Sequence, residues 1–95
     1  MPKREPPMPI PADALQRLHA GQWEQAHNLI QKDDSVLAAW LHGILHLQEG
    51  DLEDAEHWYN RANRHFRSRG TLSEEIAAFE TTFARHRPGT DGRHP

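Results

Sequence analysis

Residues 36–55 read V-L-A-A-W-L-H-G-I-L-H-L-Q-E-G-D-L-E-D-A, and this stretch decides the fold. From Val36 to Glu49 the apolar side chains (Val36, Leu37, Ala38, Ala39, Trp40, Leu41, Ile44, Leu45, Leu47) run almost all round a helical wheel. A helix that is apolar on nearly every side belongs at the centre of a domain, with other helices packed around it. Gly50 supplies the residue that ends such a helix, and Asp51 caps the next one, with Glu53 and Asp54 at its positive end. The stretch is a helix, a glycine turn and a second helix.

Working outward, the same grammar recurs. Upstream, Pro11 suits a first helical turn, Ala14, Leu15 and Leu18 form an apolar stripe, and Gly21 stops the helix. A second helix runs from Gln22 to about Lys32, with Trp23, Ala26, Leu29 and Ile30 on one side. Asp33, Asp34 and Ser35 are turn and N-cap residues for the central helix. Downstream, Leu52, Ala55, Trp58, Tyr59, Ala62 and Phe66 make the apolar face of the fourth helix, and Arg67 to Gly70 is a connector. Thr71 and Glu74 have capping-box spacing, Leu72, Ile76, Phe79 and Phe83 recur at helical steps, and Pro88-Gly89 closes the fifth helix. No strand pattern appears. The expectation is an all-α domain of about five helices over residues 11–87. A proline-rich arm over 1–10 and a tail without regular structure over 88–95 flank it.

The 95 residues suffice for one domain, since domains usually run to about 100–150 residues. A hydrophobic share of 36% with 26% charged residues is lean, yet not the composition of a disordered chain. No apolar run approaches the roughly 20 residues of a bilayer span, which excludes a membrane protein of helical type. The proline-rich start has no apolar segment of the kind that a secretory signal needs. Absence of cysteine excludes disulfides, thiol catalysis and cysteine-ligated zinc, and it fits a reducing cytoplasm.

The net charge of −3 hides a polarised chain. Residues 11–59 hold nine acids against Arg17 and Lys32, a balance of −7, whereas residues 60–70 hold Arg61, Arg64, Arg67 and Arg69 with no acid, a balance of +4. An acidic body works against general nucleic-acid binding, which wants a continuous basic face. Eight histidines outnumber every aromatic type and raise the question of metal or proton chemistry.

An internal repeat underlies the pattern. Gly21-Gln22-Trp23-Glu24-Gln25-Ala26 aligns with Gly50-Asp51-Leu52-Glu53-Asp54-Ala55 at an offset of 29. At the same offset Ala14, Leu15 and Leu18 fall on Gly43, Ile44 and Leu47, and Leu29-Ile30 falls on Trp58-Tyr59. Small residues on facing helices let the two approach closely. With Gly43, Gly50, Ala55, Tyr59, Ala62 and Ala77 at small and aromatic signature positions, residues 12–84 resemble the tetratricopeptide-repeat family. The period of 29 departs from that family's 34, and Arg67 stands where it has a turn proline. The resemblance implies stacked helical hairpins in an α-α superhelix, with a final packing helix. It also implies a protein- or peptide-binding role without catalysis. The string Ala26-His27, Gln31, Ala39-Trp40, His42, His46, Glu49-Gly50-Asp51 and Trp58-Tyr59 is also similar to a group of small uncharacterised bacterial proteins, a likeness that implies no activity.

His42, His46 and Glu49 lie at i, i+4 and i+7, one polar stripe on an otherwise apolar helix. Two histidines at i, i+4 match the helical part of many zinc sites, although Gly43-Ile44-Leu45 lacks the glutamate of the metalloprotease motif. His42, His46 and Glu49 are thus candidate ligands for a divalent metal such as zinc. Helix pairing brings His27 or His57 near, and His27, Trp40, His42, His46, Glu49 and Tyr59 form the wider candidate binding set. The plainer alternative is a set of buried histidines, each hydrogen-bonded to a carboxylate or carbonyl. The four arginines either complement the end of the fourth helix and pair with the acidic body, or contact a phosphate or acidic peptide. The apolar surplus of the central helix is covered by the fifth helix or by a second copy of the chain. No nucleophile–base pair, phosphate-binding glycine loop or paired-carboxylate spacing occurs, so no enzyme class is indicated. Two functions remain: a protein-interaction or assembly module, or a small ligand- or metal-binding protein, a weak enzyme included, centred on His27, His42, His46 and Glu49. The relative positions of the histidines decide between them.

Overall fold

The computed structural model describes residues 9–85. The expected arm over 1–10 falls almost wholly outside these residues, as do the tail over 88–95 and the Pro88-Gly89 stop. Five α-helices follow one another: α1 (Ile10–His19), α2 (Trp23–Ile30), α3 (Val36–Glu49), α4 (Leu52–Arg61) and α5 (Leu72–Arg85), with a 3-10 turn at Phe66–Ser68 before the last. Among the described residues there is no strand. The fold is all-α, and among the described residues no helix is long and apolar enough to cross a membrane.

The helix ends follow from local chemistry. Ser35 Oγ accepts from the Ala38 N–H at 3.1 Å and opens α3, and Asp51 Oδ1 accepts from the Asp54 N–H at 3.3 Å and opens α4. Thr71 and Glu74 form the reciprocal capping box, Thr71 N–H to Glu74 Oε1 at 2.9 Å and Glu74 N–H to Thr71 Oγ1 at 3.1 Å.

The offset of 29 is visible in the backbone as well as in the side chains. Gly21 at φ +77° and Gly50 at φ +82° end α1 and α3 in the left-handed region. In both turns the amide one residue on reaches back five positions, Gln22 N–H to Arg17 O at 2.8 Å and Asp51 N–H to His46 O at 2.9 Å. Asn63 at φ 60° ends α4 the same way, with Arg64 N–H to Tyr59 O at 2.9 Å. That turn is why α4 stops at Arg61 and does not carry its apolar face on to Phe66: Asn63 turns the chain into the 3-10 segment.

α3 packs against α1, α2, α4 and α5 and is the centre of the domain. Leu41, Ile44 and Leu45 are fully buried, and Leu37 and Leu47 pack partly buried on the core. The apolar surplus of α3 is therefore covered within the chain, leaving Val36 (54% exposed) and Leu52 of α4 (51%) as the exposed large apolar residues among those described. Small residues set the helix spacing: Ala14, Ala26 and Ala55 are completely buried. A Cβ on Gly43 would stand 2.5 Å from Tyr59 Cδ1 and 3.2 Å from the Ala55 carbonyl oxygen. α3 and α4 touch there through a glycine.

Candidate metal centre

His42 lies on the face of α3 opposed to both α2 and α4 and is only 4% exposed. Its Nε2 stands 3.0 Å from Nε2 of His27 on α2, and the two rings meet edge to face with centroids 4.7 Å apart. His46, one turn along α3, stacks on His42 with centroids 5.1 Å apart and meets His27 edge to face at 5.1 Å. One ring nitrogen from each of His27, His42 and His46 lies within 4.8 Å of the other two.

Two indoles enclose this group. Trp58 of α4 stacks on His42 at 3.8 Å between centroids, and Trp23 of α2 stacks on His27 at 4.8 Å. Trp23 is locked by a hydrogen bond from its Nε1–H to the Leu45 carbonyl at 2.7 Å. His57 stands beside Trp58, with centroids 5.2 Å apart. On the outer side His46 Nδ1 faces Asp51 Oδ2 at 4.0 Å.

This packing sets the protonation. Burial, reinforced by the neighbouring imidazoles of His27, His46 and His57, holds the His42 pKa down to about 3. Burial and then His46 also lower the His27 pKa, with Glu49 pulling the other way. At neutral pH both rings are uncharged, which is the form that ligates metals.

The geometry suits an all-imidazole metal site. A tetrahedral ion with metal–nitrogen bonds of about 2.0–2.1 Å spaces its ligand nitrogens about 3.3 Å apart. The His27–His42 separation of 3.0 Å is close to such an edge. His42 and His46 rings are inclined by only 16°, so ligation by both requires one ring to turn. His46 is the less buried of the two, whereas His42 is clamped on Trp58, so the turn falls to His46.

The other expected site residues are distributed differently. Glu49 is exposed and lies outside the three-nitrogen group, acting on it through its charge at His27. Trp40 and Tyr59 belong to a second buried cluster on the α5 side of the core. Trp40 Nε1–H donates to Glu75 Oε1 at 3.3 Å, the Tyr59 hydroxyl donates to the same oxygen at 2.5 Å, and Gly70 N–H donates to Oε2 at 2.9 Å. Glu75 is 7% exposed. Burial raises its pKa, but the Tyr59, Gly70 and Trp40 bonds and the Arg64 charge outweigh it and leave the carboxyl below its ordinary value. Burial and the bond to Glu75 raise the Tyr59 pKa.

The sequence places Trp23 and Trp58 on apolar helix faces, Trp58 as core or as part of an aromatic ligand cage, without joining either to the histidines, and it does not single out Glu75. Trp23 and His27 at i, i+4 were a legible signal for one stacked pair. Comparison of the chain with protein-family models, with curated proteins and with solved structures finds no match in any of the three.

Proposed function

We propose that this protein is a small helical-hairpin domain that binds a divalent transition metal, zinc above all, through His27, His42 and His46. The observation that carries this reading is the convergence of three ring nitrogens within 4.8 Å, drawn from two helices and enclosed by Trp23 and Trp58. An all-imidazole donor set suits zinc, copper and nickel, and three protein ligands leave a fourth position for water or an anionic ligand. The His27 and His42 rings, held neutral by burial, need no deprotonation before ligation.

A second reading, a protein-interaction or assembly module of tetratricopeptide-like type, draws support from the apolar groove between α1 and the end of α5. Pro9, Ala12, Leu15, Phe83 and Ala84 line it.

Zinc added to chelator-stripped protein tests the first reading. At a free concentration a hundredfold above Kd, linkage stabilises the fold by about 2.7 kcal/mol, which in a domain of this size raises Tm by about 10 °C or more. His27→Ala and His46→Ala, both at half-buried positions, are expected to abolish the rise. A Tm indifferent to zinc, nickel and copper, or a rise undiminished in both variants, overturns the reading.

A further inference from the structure

The four arginines of residues 61–69 make no ion pair with the acidic body. Among the described residues the ion pairs are Arg17–Asp13, His19–Glu80 and His46–Asp51, and none involves Arg61, Arg64, Arg67 or Arg69. Three of them rest instead on aromatic faces. Arg61 lies over Trp58 at 5.2 Å, Arg64 over Trp40 at 3.4 Å and Arg69 over Phe66 at 3.9 Å. A guanidinium resting over a ring keeps its charge, and its contact with the ring restricts the side chain before any ligand binds.

Arg64 and Arg69 share one open cleft, with Asn63, His65 and Ser68 beside them and Tyr59 and Glu75 at its floor. Arg69 spends one guanidinium N–H on the Phe66 carbonyl at 2.8 Å, and the Arg64 guanidinium has no hydrogen-bond acceptor among the described residues. The acid at the floor feels the Arg64 charge but forms no ion pair with either arginine. Both Glu75 oxygens already accept from Tyr59, Trp40 and Gly70, so its charge is spread over three donors. The rim thus presents two guanidiniums against one carboxylate that already accepts three hydrogen bonds, with Ser68 and Asn63 in the lining. A cation would meet the rim first and be repelled. A tetrahedral oxyanion meets forked donors matched to its oxygen spacing.

We propose that this cleft binds a phosphoryl group, with Arg64 and Arg69 as its charged ligands and Ser68 and Asn63 as neutral donors. The site is separate from the histidine cluster, with which its lining shares no residue.

Titration with inorganic phosphate, followed by NMR on the arginine Nε–H and the residue 63–70 amides at constant ionic strength, tests it. The expected result is saturable binding with Kd of about 1 mM or tighter, with Arg64 and Arg69 side-chain signals moving together. Arg69→Gln, at a half-exposed position that leaves Trp40 packing intact, weakens binding about tenfold or more, as does Arg64→Gln. Arg61→Gln removes the same charge outside the cleft and leaves Kd unchanged. A phosphate monoester bound as well as inorganic phosphate marks the phosphoryl group of a larger ligand as the natural occupant, and weaker binding of the ester marks the free ion. No saturable binding, or equal weakening by Arg61→Gln and Arg69→Gln, overturns the proposal, the second because it shows a diffuse field.

Discussion

His27 and His42 meet Nε2 to Nε2 at 3.0 Å, so the two rings share either one proton or one cation. In the metal-free chain they share a proton, and the folded state resists taking a second. Burial and the surrounding imidazoles put the His42 pKa at about 3, against 6.5 for the free side chain. Between these values the unfolded chain binds the proton and the folded chain does not. The stabilisation is therefore complete above pH 6.5 and is lost as pH falls towards 3, by about 1.4 kcal/mol per pH unit from His42 alone. The lowered His27 pKa adds with the same sign, and the lowered Glu75 pKa adds to it below 4.5. Urea unfolding of chelator-stripped protein at pH 7.5, 6 and 5 checks this. Steadily falling stability is expected, and a flat profile would remove the assignment of His42 as a buried neutral ring.

Gly43→Ala is expected to destabilise the fold. The new methyl meets the Tyr59 ring at 2.5 and 2.8 Å and the Ala55 carbonyl at 3.2 Å, and the backbone on the α4 side cannot yield cheaply. Overpacking costs about 1–3 kcal/mol, against about 1 kcal/mol gained from helix propensity. A lower urea midpoint with an unchanged m-value is the expected reading, together with loss of the Tyr59–Glu75 bond seen in the Tyr59 ultraviolet signature.

Glu75 holds three donors, and its replacement separates packing from hydrogen bonding. Glu75→Leu leaves the Tyr59 hydroxyl, the Trp40 indole and the Gly70 amide without their acceptor. At about 1–3 kcal/mol for each buried group left unpaired, the loss is several kcal/mol, near the whole stability of so small a domain. Glu75→Gln keeps one acceptor oxygen for Trp40 and Tyr59 and is expected to cost less. Equal midpoints for the two variants would show that the hydrogen bonds contribute little.

The fold was legible where it rests on local spacing. Thr71 and Glu74 three apart, Gly50 after an apolar run and Ser35 before one each fix a helix end by chemistry that needs no knowledge of the rest of the chain. Gly43 and Ala55 signalled a close approach because only small residues allow it. The candidate site was legible in part. His42 and His46 share a face by helical periodicity, but which partner meets them depends on how α2 is rotated about its own axis. That rotation is set by Trp23 reaching the Leu45 carbonyl, a contact over 22 positions of sequence. Trp40 and Tyr59 went to Glu75 for the same reason. They lie on the faces of α3 and α4 that turn towards α5, and spacing within one helix does not reveal which neighbour a given face meets.

The central claim is that His27, His42 and His46 act together on one metal ion. Zinc titration of the chelator-stripped protein, followed by NMR of all imidazole ring nitrogens, tests it most directly. The account predicts that these three residues shift in concert and saturate at one equivalent, while the exposed His19, His57 and His65 remain in place. Shifts that begin at the exposed histidines, or that leave the His42 ring nitrogens unmoved at saturation, would contradict it.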